Sequence, residues 1–287
     1  MIKRPLGSTG CLISPIGLGT IKFGRDQKVK YPHPFTIPSD GDARNLLAYA
    51  FDLGINFLDT APAYGTSEER LGRLLFPNRK QWVIGTKVGE DFINGRSFFD
   101  FSLEYTRRSI ERSLKRLRTD YLDIVLVHSN GDDLRIIEEF GILDILAEFK
   151  KAGLIRAYGM STKTVEGGLL AAKKSDVVMI TYNLRHKEEE PVIHFARENN
   201  KGVLIKKAFD SGHIFYDTQV KAPLIDSIGC IFQHWGVTSI IVGTLQPNHL
   251  EQSVNAALNS LARHDRISKD LTSRVSLKHP TKTTGRS

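Results

Sequence analysis

The sequence predicts a closed (β/α)₈ barrel, an α/β fold in a single domain. Three observations predict it. Eight apolar runs of strand length alternate with segments of helical period. Several of the runs are rich in Val and Ile without strict alternation, the pattern of parallel strands covered on both faces. The 287 residues also provide the roughly 250 that such a barrel takes. A doubly wound open sheet fits less well, because Gly17-Leu18-Gly19-Thr20 only partly echoes the Gly-x-Gly-x-x-Gly that would follow its first strand.

Along the chain, residues 6–14 suit a small hairpin plugging the barrel floor, and the first strand is expected at 15–20. A long loop, 22–41, follows with three prolines, Tyr31, His33 and Phe35. It is either a lid over the barrel mouth or an irregular surface loop. Leu46, Leu47, Ala50 and Phe51 mark the first helix at three- and four-residue spacing. The second strand is placed at 55–60, and Ser67-Glu68-Glu69-Arg70 opens the next helix with acidic groups near the positive end of its dipole. A strand at 82–88 leads to a helix marked by Ile110, Leu114 and Leu117, and a strand at 122–128 follows. Gly153 takes the place of a glycine cap after the helix that ends near Lys151. The remaining strands are expected at 157–161, 177–182, 202–206 and 239–242, with a second long loop at 213–223. Leu250, Val254, Ala257 and Leu258 form the apolar stripe of the last helix. The barrel is thus placed in residues 1–262, and 263–287 is expected to be a basic, flexible tail.

The net charge of +8 invites a nucleic-acid reading. From Arg263 to Ser287 there are seven Lys or Arg against two acidic residues, so this segment holds five of the eight surplus charges. It has too few apolar residues to build a core and no aromatic residues between its charges, as a single-strand platform would need. A solvated tail is the expectation, without a nucleic-acid partner. No apolar run approaches the roughly 20 residues of a membrane span, and the N-terminus does not read as a signal peptide. With only Cys11 and Cys230, no disulfide framework is indicated and a cytoplasmic setting is expected.

Chemistry gathers at the strand ends. Asp59 follows Ile55–Leu58, Lys87 closes the third strand and His128 the fourth, while Tyr64 lies in the loop five residues after Asp59. Side chains at the carboxyl ends of barrel strands converge on one mouth. Each has an ordinary structural explanation alone; together they form a proton-transfer device. A nearby ammonium favours a phenolate, so Lys87 is expected to lower the pKa of Tyr64, Asp59 to position Lys87, and His128 to orient a substrate oxygen. The set suits giving a proton to a carbonyl oxygen as a hydride reaches its carbon, or the reverse.

Asp59-Thr60-Ala61-Pro62-Ala63-Tyr64-Gly65, with Glu68 and Leu71-Gly72 behind it, resembles the signature segment of the aldo-keto reductase superfamily. Thr86-Lys87-Val88, Leu126-Val127-His128, Gly159-Met160-Ser161, Tyr182-Asn183 and Gly243-Thr244 with Pro247-Asn248-His249-Leu250 continue the resemblance across residues 3–258. It implies a nicotinamide cofactor lying across the mouth, a small carbonyl, alcohol or sugar substrate and no metal. Tyr64 would be the general acid/base, with Asp59 and Lys87 tuning it and His128 orienting the substrate. Gly19, Thr20, Asp59 and Ser161 would approach the cofactor, Ser161 at its carboxamide.

Several positions depart from the family pattern. Thr162 and Met179 stand where Asn and Gln are common, and Lys206-Lys207-Ala208-Phe209 replaces a segment whose aromatic often stacks on the nicotinamide. One of these lysines is expected to neutralise cofactor phosphate, unless both are solvated strand-end residues. At the adenosine end stand Gly243, Thr244 and His249, a segment around which phosphate-binding members often carry Lys and Arg, and Gln252-Ser253, which replaces a common Glu-Asn pair. The resemblance implies NADPH, with NADH use left open. Two other readings stand beside the reductase: a Schiff-base lyase through Lys87, and a cofactor-sensing barrel without turnover.

Overall fold

In the computed structural model, which describes residues 1–276 and side chains through Arg263, eight parallel strands close into a barrel. They are β1 (Ile16–Gly19), β2 (Phe57–Asp59), β3 (Val83–Val88), β4 (Leu122–His128), β5 (Ile155–Ser161), β6 (Val177–Thr181), β7 (Gly202–Lys206) and β8 (Ser239–Val242), each within two residues of its expected bounds. Each pairs with the next, and β8 returns to β1. The last helix is Pro247–Ser276. The flexible basic segment expected at 263–287 falls mostly outside the residues whose side chains are described, and 277–287 lie outside the described residues altogether.

The hairpin expected below the barrel is formed by Arg4–Pro5 and Leu12–Ile13. It drives Leu6 and Ile13, both fully buried, into the barrel floor beneath Phe57, Ile124, Leu126, Val177 and Leu204. Phe57 fills space that its neighbours leave: a Cβ on Gly17 would stand 2.5 Å from its ring, and one on Gly85 3.3 Å. Large and small residues thus alternate across β1, β2 and β3, which lets the Phe57 ring pack between its neighbours.

Outside the barrel, Ile16, Leu18, Leu46, Ile110 and Leu250 join the continuous core under the helices. Two residues of the expected helical stripes turn outward. Phe51 and Leu258 are 42% and 39% exposed, and the Phe51 ring rests 5.6 Å from that of Trp82. No described helix is long and apolar enough to cross a membrane.

One element at the mouth was not expected from the sequence. Glu90–Ile93 and Arg96–Phe99 pair as an antiparallel hairpin just after β3. Asn94 and Gly95, both at positive φ (50° and 75°), make its two-residue turn. The Asn-Gly dipeptide is the strongest short hairpin signal a sequence carries, and it was there to be read.

Candidate active site

Because the strands are parallel and in register, their ends meet on one rim. Gly19 lies opposite Asp59, Asp59 opposite Gly85, and His128 opposite Ser161. Tyr64 reaches the rim from the single helical turn Pro62–Tyr64, whose leading proline presets the backbone. Gly65 follows at φ 61°, and a Cβ there would stand 2.1 Å from the Gly24 carbonyl oxygen. Only glycine lets the chain turn here and hold the first loop close. Behind the rim, the buried carboxylate of Glu68 accepts a 2.6 Å hydrogen bond from Thr86 and a 3.3 Å bond from Arg116, which fixes the second helix against β3.

Asp59, Tyr64, Lys87 and His128 line one cavity of about 800 Å³. Lys87 Nζ donates to Asp59 Oδ1 at 2.7 Å and to the Thr60 carbonyl at 2.9 Å. The Tyr64 hydroxyl donates to Asp59 Oδ2 at 3.5 Å. Lys87 Nζ stands 4.8 Å from the centre of the Tyr64 ring, and the Tyr64 and His128 rings meet edge-on, 6.2 Å apart. Lys87 is 1% exposed and its ammonium is engaged twice. In that protonated form it is a donor and not a nucleophile, which weighs against attack on a carbonyl.

The expected direction of Tyr64 acidity is reversed. Burial, then the charges of Asp59 and Glu90, raise its phenol well above the ordinary value, and Arg25 opposes them only weakly. The Lys87 ammonium is neutralised by a carboxylate whose other oxygen faces the phenol, so no net positive charge reaches the hydroxyl. At neutral pH Tyr64 is therefore a phenol holding its proton.

Glu90, on the unexpected hairpin, is a site residue the sequence reading missed. Its Oε2 stands 2.7 Å from Nδ1 of His128, in a bent approach that falls short of a straight hydrogen bond. Burial works to raise the Glu90 carboxyl, but His128, Ser97 and Arg25 outweigh it and hold the group down to about 2. Burial also lowers His128, with Lys87 and Lys206 helping and Glu90 opposing. We read a carboxylate facing a predominantly neutral imidazole whose proton sits on Nδ1. Nε2 is then the nitrogen left for a substrate.

The residues expected around a cofactor divide between the cavity wall and the layer behind it. Ser161, Met179 and Lys206 line the wall beside the four central residues, Gly19 and Lys207 flank it, and Gly243, Thr244, His249, Gln252 and Ser253 line its far end. Thr20 and Thr162 do not face it. The Thr20 hydroxyl donates to the Asp59 carbonyl at 2.9 Å and shares a 2.8 Å bond with Ser67. That of Thr162 points to Glu189 Oε1 at 3.4 Å. Alternation along an extended chain explains both, since neighbours of an inward residue face outward.

Lys206 is no solvated strand-end residue. Its Nζ donates to Ser161 Oγ at 2.8 Å and to the Thr162 carbonyl at 2.6 Å, and burial pushes it down to about 7. Lys207 points elsewhere: burial and then the charges of Lys30 and Lys163 lower it, so three lysines share one rim.

Both long loops wall the cavity. In the first, Tyr31 crosses to the end of β8, where a Cβ on Gly243 would stand 2.8 Å from its hydroxyl, and Lys22 Nζ lies 4.1 Å from its ring centre. Residues 129–141, which follow β4 at the same rim, contribute nothing to the cavity. Asp133 is spent on structure, accepting bonds from Ser129 and from Lys163 and Thr164.

The sequence model of the aldo/keto reductase family matches residues 15–224. A crystal structure from Pseudomonas aeruginosa, whose description places it among aldo-keto reductases, is 52% identical with a TM-score of 0.82, covering 90% of this chain and 95% of its own. An uncharacterised oxidoreductase of Bacillus subtilis, YqkF, is 27% identical over 295 residues, 90% of this chain and 91% of its own. L-galactose dehydrogenase of Arabidopsis thaliana is 36% identical over 171 residues, which are 55% of this chain and 47% of that enzyme.

Proposed function

This chain belongs to the aldo/keto reductase family and is an NAD(P)-dependent oxidoreductase, and on that premise we propose that it uses NADPH to reduce the carbonyl of a small aldehyde, ketone or sugar, with Tyr64 giving the proton. The observation that carries this reading is the Tyr64 phenol, held at the mouth by the oxygen of Asp59 that Lys87 leaves open.

The residues present fit a dinucleotide. The cavity of about 800 Å³ runs from the four central residues to the final helix, past Gly19 and Gly243, where Cβ atoms would meet Ile241 at 3.0 Å and Tyr31 at 2.8 Å. Ser161 and Lys206 would hold the carboxamide end, Lys207 with Lys30 and Lys163 the phosphates, and His249, Gln252 and Ser253 the adenosine end. When bound, the cofactor supplies a hydride to the carbonyl carbon. Asp59 and Lys87 fix the phenol of Tyr64, which releases its proton to the substrate oxygen. His128, braced by Glu90 at Nδ1, orients that oxygen by donating from Nε2–H in its protonated form. Phe209, Phe215 and Tyr216 exclude water beside the reacting carbon, a wall suited to a small, partly apolar carbonyl compound. The sugar dehydrogenase among the relatives supports keeping sugars in the substrate class.

A side-by-side titration with NADPH and NADH, followed by tryptophan fluorescence, tests the reading. NADPH should bind more tightly by about tenfold or more, the worth of roughly one charge-assisted contact to the extra phosphate. Equal or tighter NADH binding would overturn the NADPH assignment; binding of neither by folded protein would overturn the whole reading.

A further inference from the structure

Away from the mouth, a second set of metal-capable side chains gathers between two helices. Glu190 and His194 lie one turn apart on the helix Glu190–Glu198, and His234 follows the end of the helix Pro223–Phe232. Each offers one ligand atom, and the three atoms lie within 4.8 Å of one another. Glu190 Oε1 is 3.3 Å from His194 Nε2 and 4.0 Å from His234 Nε2. Ligands about 2.0–2.2 Å from one zinc ion are separated by roughly 3.3–3.6 Å, so small side-chain rotations bring these atoms around a common centre. None of the three lines the active-site cavity.

We propose that Glu190, His194 and His234 form a binding site for a divalent transition metal of the zinc type, with water completing the coordination. Two imidazoles and one carboxylate suit zinc and disfavour magnesium or calcium, which take oxygen ligands. The surroundings provide the supporting layer that metal ligands ordinarily have. The buried Tyr182 hydroxyl now bonds His234 Nε2 at 2.8 Å and lies 3.4 Å from Glu190 Oε2. On metal binding it gives up the imidazole and donates to the free carboxylate oxygen.

Such a metal would join two helices that the sequence connects only through 24 intervening residues, from Asn199 to Ala222. It would also brace a segment leading to the mouth, because Asn183, next to Tyr182, donates to the Lys207 carbonyl at 2.8 Å. Metal occupancy therefore stabilises the fold and stiffens the lysine rim, without entering the reaction.

The test is calorimetric titration of tag-free, chelator-treated protein with zinc chloride near neutral pH, paired with melting curves. Wild type should bind one equivalent tightly enough to raise its melting temperature at roughly 100 μM zinc. Magnesium should have no such effect. His194→Ala, at a largely exposed position that folding tolerates, and Glu190→Gln should each lower zinc affinity by about tenfold or more. Absence of zinc binding by wild type, or undiminished binding by both variants, would overturn the proposal.

Discussion

Oε2 of Glu90 stands 2.7 Å from Nδ1 of His128, so the hairpin after β3 reaches across to the end of β4 and sets how the imidazole is used. A carboxylate on Nδ1 keeps the ring proton there and favours the protonated ring over the neutral one. The pair works against the burial that lowers His128.

Glu90→Gln keeps the shape and removes the charge. His128 then titrates lower still, so the fall in carbonyl reduction with rising pH begins at lower pH. At neutral pH, kcat/KM should drop by about ten- to a hundredfold, equivalent to about 1.5–3 kcal/mol for a charge-assisted contact, with cofactor affinity retained. A pH–rate profile superimposable on that of wild type would contradict this role.

Asp59→Asn leaves the Lys87 ammonium buried without its counter-ion. Lys87 and Asp59 side chains are 1% and 5% exposed, so solvent does little to compensate. Stability should fall by about 3–5 kcal/mol, the usual cost of breaking one side of a buried pair, and turnover should fall with it. Chemical denaturation measures the first effect; a variant as stable as wild type would show that the pair contributes little.

Lys206 gives a pH-dependent signature. Its folded-state value is pushed down to about 7 against an ordinary 10.5. Below about 7 both states are charged and the folded chain carries the full burden of the buried ammonium. Between about 7 and 10.5 the unfolded chain holds the extra proton, so wild-type stability rises with pH relative to a variant lacking the group. The melting temperature of wild type minus that of Lys206→Met should therefore become more positive from near-neutral pH to about pH 10. A difference independent of pH would mean that Lys206 titrates normally.

Much of the barrel was legible because its strands are short Val- and Ile-rich runs bounded by turns, a local pattern. The convergence of Asp59, Lys87 and His128 was legible too, since parallel strands in a barrel end on one rim. What failed required distances. The sequence could not show that Asp59 would stand close enough to both Lys87 and Tyr64 to cancel the positive charge expected to acidify the phenol. That Thr20 and Thr162 face away was within reach of the sequence, since each adjoins an inward residue and alternation turns it outward. Glu90 escaped notice because it sits on a hairpin, although Asn94-Gly95 announced the turn. Glu190 and His194 share one helix at i,i+4 spacing, but His234 follows another, and only the packing of those helices brings the three together.

The central claim is that the Tyr64 hydroxyl delivers the proton. The most direct measurement is single-turnover reduction of a small aldehyde by the NADPH complex of Tyr64→Phe beside wild type, with cofactor affinity determined on the same samples. The account predicts unchanged cofactor binding and a rate lower by about a hundredfold or more, the scale of a positioned general acid. A variant that binds cofactor and reduces the aldehyde at the wild-type rate would contradict it.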